Sequence, residues 1–194
     1  MGIVDTDAFQ RILIICSSSV ENLVLFPGIH WNLAHPFIAF LEHPSAGDRL
    51  RRLTINLEHV FLPWSSMEIF NCPCFTNLTH LHLYDEAEEW SGYKGFELLR
   101  SLTHFAVACS SPEALAIVMP KLPALQYVVI CHYGSNEHGR TRIHDNRVTR
   151  DVYGIRVVWL TGLTKRDWES GARGKGDFWE IVEQEVNSRR SYSA

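Results

Sequence analysis

One line of residues recurs along this chain and limits what it can fold into. The copies are Val20-Glu21-Asn22-Leu23-Val24-Leu25, Leu50-Arg51-Arg52-Leu53-Thr54-Ile55, Leu78-Thr79-His80-Leu81-His82-Leu83, Leu102-Thr103-His104-Phe105-Ala106-Val107 and Leu125-Gln126-Tyr127-Val128-Val129-Ile130. Val152-Tyr153-Gly154-Ile155-Arg156-Val157 offers a sixth. Each reads apolar-x-x-apolar-x-apolar, and successive starts lie 30, 28, 24, 23 and 27 residues apart. One such unit cannot bury its own apolar side, so the copies must stack as neighbours. Between them come short helical stretches, which implies parallel strands joined by helical crossovers on one side of a sheet.

A line of this shape at this period is the strand signature of a leucine-rich repeat. The expected fold is therefore α/β: a short, irregular leucine-rich-repeat solenoid of five or six parallel strands, with convex-side helices and terminal helical caps. Residues 1–163 form the repeat domain, opened by a capping helix over residues 7–17 with Phe9, Ile12, Leu13 and Cys16 on one face. Pro112 opens a helix that presents Leu115, Val118 and Met119 and stops at Pro120. Tyr133 to Arg150 is expected to be a long loop, or a hairpin. Residues 164–194 form a C-terminal cap. Within it Thr164 to Asp167 reads as a capping box for a one- or two-turn helix ending at Gly171, and Gly171 to Gly176 suits a linker. Asp177 then caps a final helix with Phe178, Ile181, Val182 and Val186 inward, fraying from Ser188.

In the repeated line the third and fifth positions flank a core residue, so they face the opposite side of the sheet. They read Asn22, Arg52, His80, His104, Tyr127 and Val24, Thr54, His82, Ala106, Val129. Equivalent positions on parallel neighbours lie roughly 5 Å apart. Arg52, His80, His104 and Tyr127 should then form a ladder on the concave face. With Asn22, Thr54 and His82 they are the candidate partner-binding residues, because Arg and Tyr are common interface anchors. The plainer reading makes them the solvated side of the sheet.

His80, His82 and His104 also suggest a metal site, since imidazoles two apart on a strand project to the same side. Cys72-Pro73-Cys74 and Asp85 lie nearby, but the cysteines have no second pair, and a His-Leu alternation needs no metal. Cys109 with His104 or His132 can be written as a thiol pair, although no orienting Asn or Asp accompanies it. No phosphate-cradling glycine loop and no Gly-x-Ser-x-Gly elbow is present. No catalytic residue and no cofactor is expected.

The net charge of −4 gives no general drive toward nucleic acid or anionic lipid. The basic run Arg140, Arg142, Arg147, Arg150, Arg156 is diluted by Asp145 and Asp151. It reads as a solvated loop, so nucleic acid is an unlikely partner. Five cysteines, an odd count, suit a reducing intracellular setting, cytoplasmic or nuclear. No run approaches the ~18 apolar residues of a membrane span. Met1 to Thr6 matches a myristoylation pattern without the basic residues that support anchoring.

Ile12 to Leu25 resembles the helix-then-strand entry of fungal F-box/leucine-rich-repeat-like proteins, and Phe75 to Leu83 and Leu122 to Ile130 are similar to their repeat strands. The stretch Asp167-Trp168-Glu169 to Gly174, followed by Asp177-Phe178-Trp179-Glu180, is similar to the tail of such proteins in mushroom-forming fungi. The resemblance implies a protein-recognition module, the substrate-recognition part of an F-box-type ubiquitin ligase system. An F-box itself is not recognisable. Only Leu62 to Phe70 looks like its opening line, and it lies between two repeat strands. Contact with the ligase adaptor is therefore doubtful for this chain, and the partner's identity is not legible.

Overall fold

The computed structural model describes residues 6–25, 34–61, 69–85, 90–108, 112–132, 142–144, 156–162, 167, 170 and 176–193. Its centre is a sheet of seven strands: β1 (Asn22–Val24), β2 (Arg52–Ile55), β3 (His80–Leu83), β4 (His104–Ala108), β5 (Tyr127–His132), β6 (Arg142–His144) and β7 (Val157–Thr161). Their order is β1-β2-β3-β4-β5-β7-β6. Six strands pair in parallel, and β6 adds antiparallel to β7 at the edge. Part of the 133–150 stretch is thus a strand, while most of it lies outside the described residues.

The repeated lines stack in register. Leu53, Leu81, Phe105 and Val128 are direct partners on successive strands. The sixth line slips by two residues: Val157 lies opposite Val128 and so takes the fourth position of its line, not the sixth. The β-branched run Val157-Val158 fits the pleat there, and the Val128 N–H bonds to the Arg156 carbonyl at 3.0 Å.

Among the described residues one face of the sheet carries five α-helices: α1 (Thr6–Cys16), α2 (Ala34–Leu41), α3 (Ala46–Arg49), α4 (Leu57–Phe61) and α5 (Pro112–Val118). Leu13, Phe40, Leu41, Ala46, Leu57, Leu115 and Val118 pack there with Leu53, Leu81, Phe105, Val128 and Trp90 in the larger core. Fully burying side chains of this size stabilises the fold by about 1.5–3 kcal/mol each. Helix α1 packs against α2. Its Leu13 is buried, whereas Ile12 is exposed, contrary to the expected inward face. Gly47 makes a close approach: an added Cβ would lie 2.2 Å from the Pro73 carbonyl oxygen. The acidic, aromatic stretch after β3 is structural where it is described. Asp85 accepts from the Leu57 and Glu58 N–H groups and the Tyr93 hydroxyl, and Trp90 is buried.

The opposite face is also covered, so the helices do not all lie on one side. Helix α6 (Phe178–Ser193) lies across it, and Phe178, Trp179, Val182 and Val186 pack on Ala106, Tyr127, Val129, Cys131, Val158 and Leu160. Sixteen residues span ~24 Å, and the four strand spacings from β2 to β7 span ~19 Å, so one helix crosses the ladder. It runs on to Ser193 instead of fraying from Ser188. Arg189 holds its last turns through Glu185 at 2.6 Å and the Val157 carbonyl at 2.7 Å. Trp179, rather than Ile181, fills the inner face. Of the small helix expected from Thr164 to Gly171 only Asp167 and Ser170 are described, both helical, and the Gly171 to Gly176 linker falls largely outside the described residues. No helix among the described residues is long and apolar enough to cross a membrane.

Candidate functional site: a histidine ladder beneath a helix

The strand register makes the third positions into a continuous row, in which Asn22, Arg52, His80, His104 and Tyr127 are successive partners. The rings stack. His80 and His104 lie 3.9 Å apart at 11°, and His104 and Tyr127 lie 4.4 Å apart at 16°. Helix α6 closes over them, with the Trp179 ring edge-on to His80 at 5.2 Å and to His104 at 5.5 Å. Arg190, near the far end of the helix, places its guanidinium 5.6 Å from the centre of the Tyr127 ring.

Asp177 begins this cover with one carboxylate in two roles. Its Oδ1 accepts from the Trp179 and Glu180 N–H groups at 3.0 and 3.2 Å, which caps the helix. Its Oδ2 takes the Arg52 guanidinium. The cap was legible in the sequence; the bond to a residue 125 positions away was not.

His80, His82, His104, Thr54 and Tyr127 are buried, Arg52 is half-buried, and Asn22 alone of the proposed set is exposed. The row is therefore assembled as its spacing implies but roofed by α6. Burial, helped by His104 and Arg52, pushes His80 down to about 2. Burial takes His82 to about 3, and burial with Arg52 takes His104 to about 4. All three imidazoles are neutral near pH 7. His82 sits apart from the other two, against Tyr84 at 4.5 Å and Phe178 at 6.1 Å.

Each Nδ1 of the stacked pair meets a threonine hydroxyl. Thr79 Oγ1 donates to the Arg51 carbonyl at 3.0 Å and lies 2.8 Å from His80 Nδ1. Thr103 Oγ1 donates to the Thr79 carbonyl at 3.2 Å and lies 2.7 Å from His104 Nδ1. The Glu183 carboxylate can only accept, so His104 Nε2–H donates to its Oε1 at 3.1 Å, while among the described residues His80 Nε2 is buried without a hydrogen-bond partner.

No family model, curated protein or solved structure matches the chain. The fold and the site's chemistry carry the functional reading. His80, His104 and Glu183 form a potential ligand set, in which Glu183 stands where the sequence suggested His82. The signal for Glu183 was its place on the inner side of an amphipathic helix, one turn after Trp179. The thiols near the sheet are unsuited to nucleophilic work: burial, helped by Glu42, raises Cys72 to about 11, and burial raises Cys74 well above the ordinary thiol range. Cys109 lies outside the described residues, and His132 is exposed.

Proposed function

We propose that the chain is a protein-recognition module of the leucine-rich-repeat kind, a short solenoid whose ladder face receives an amphipathic helix. The supporting observation is the seating of α6. An acid at its start meets Arg52, an indole meets the stacked imidazoles, and a cation near its end meets Tyr127. Apolar anchors at helical spacing laid into a groove are a recurrent mode of peptide recognition. The occupant here is the chain's own helix; a partner helix with the same chemistry would compete for the same row. This reading fits the resemblance to F-box-type proteins, in which the repeats select the target of a ubiquitin ligase. It assigns no catalytic role.

The test uses the full chain and a labelled peptide with the sequence of residues 176–193. Trp179→Ala should loosen α6 and let the peptide bind in trans, and adding Arg52→Glu should weaken that binding at least tenfold. A peptide that binds no variant, or binds without regard to Arg52, refutes the helix-receiving face. Partners captured from extract by the Trp179→Ala chain should be lost when Arg52, His104 and Tyr127 are changed together.

A further inference from the structure

We propose that His80 Nε2, His104 Nε2 and the Glu183 carboxylate form a binding site for a divalent cation of the zinc class, which ties β3 and β4 to helix α6. One potential ligand atom from each residue lies within 4.8 Å of the other two. His104 Nε2 and Glu183 Oε1 already meet at 3.1 Å, so a cation would take the place of the proton between them. Among the described residues the buried Nε2 of His80 has no hydrogen-bond partner, a deficit that a cation removes.

The surroundings suit a metal. Ligating imidazoles donate their other N–H to an outer partner that fixes the ring. The Thr79 and Thr103 hydroxyls, 2.8 and 2.7 Å from Nδ1 of the two histidines, would fill this role once Nε2 is on the metal. Two imidazoles and one carboxylate favour zinc over calcium or magnesium, which prefer all-oxygen sets. Zinc–ligand bonds of 2.0–2.2 Å place tetrahedral neighbours roughly 3.3 Å apart. The His104–Glu183 separation of 3.1 Å is already close to that. The imidazole stack is not, because parallel rings 3.9 Å apart send their lone pairs side by side. Binding therefore fans the rings apart about their threonine contacts and displaces Trp179, which lies against both. Arg52 is the nearby opposing charge, and Asp177 offsets it. Glu183 is 41% exposed, so water can fill the fourth position from its side.

The test is titration of the chelator-treated full chain with zinc chloride, followed by calorimetry and thermal unfolding, and a parallel titration with cobalt(II). One equivalent should bind, Tm should rise, and cobalt should give a tetrahedral visible spectrum while quenching Trp fluorescence. Glu183→Gln, half-exposed and so tolerant of change, should lose at least tenfold in affinity with its circular dichroism unaltered. Glu183→His should retain binding, and His80→Gln should lose it. Absence of zinc binding overturns the proposal. So does binding that survives both Glu183→Gln and His80→Gln, which would place the ion on other histidines.

Discussion

Acidifying the metal-free protein should loosen it well before its carboxylates titrate. His80, His82 and His104 are neutral and buried, held at about 2, 3 and 4 against an ordinary value of 6.5. A base with a depressed folded pKa contributes fully above its unfolded pKa, and the contribution is lost as pH falls through 6.5 toward the folded values. At pH 5.5 the unfolded chain gains about 1.4 kcal/mol per histidine, against about 0.2 kcal/mol at pH 7. These figures depend little on the folded values once those lie at or below about 4. Together the three histidines remove roughly 3–4 kcal/mol from a stability that is typically 5–15 kcal/mol. Arg52 favours the neutral rings, while Asp177 answers Arg52. Asp85, raised by burial against its hydrogen bonds, works in the opposite sense. The assay is urea unfolding by Trp fluorescence at pH 7.5 and 5.5 with chelator present. A large fall in the midpoint is expected, and His82→Leu should remove about a third of it. Equal midpoints at the two pH values, or an unchanged fall in His82→Leu, would refute the reasoning.

Other substitutions read other parts of the account. Gly47→Ala should destabilise by about 1–3 kcal/mol, because its Cβ would collide with the Pro73 carbonyl at 2.2 Å; a neutral result in thermal unfolding would contradict that close approach. Asp177→Ala should cost about 1–3 kcal/mol by removing the cap and the Arg52 partner together, and it should raise hydrogen exchange in the first turns of α6 above that of the sheet. Tyr93→Phe should cost about 1 kcal/mol in denaturant unfolding, since it removes one donor from buried Asp85.

The sheet was legible because its information is local and repeated. Apolar-x-x-apolar-x-apolar at near-constant spacing places Leu53, Leu81, Phe105 and Val128 in one layer, and His80 beside His104 follows from the same register. The last line was misplaced because Ile155, Val157 and Trp159 alternate evenly over several positions, and an even alternation does not mark its own start. The roof was harder to see. A helix with Phe178, Trp179, Val182 and Val186 requires an apolar surface, but its sequence does not say which one. A clue lay in the fifth positions, where Val24, Ala106 and Val129 are apolar on a face expected to be wet. Long-range pairs such as Arg52–Asp177 and His104–Glu183 leave no trace in spacing at all.

The nuclear Overhauser contacts of the Trp179 indole test the covered ladder most directly. The ring centres stand 5.2 Å from His80 and 5.5 Å from His104, so cross-peaks to the ring protons of both imidazoles are expected. A Trp179 indole that sees neither ring would contradict the placement of α6 and with it the helix-receiving face.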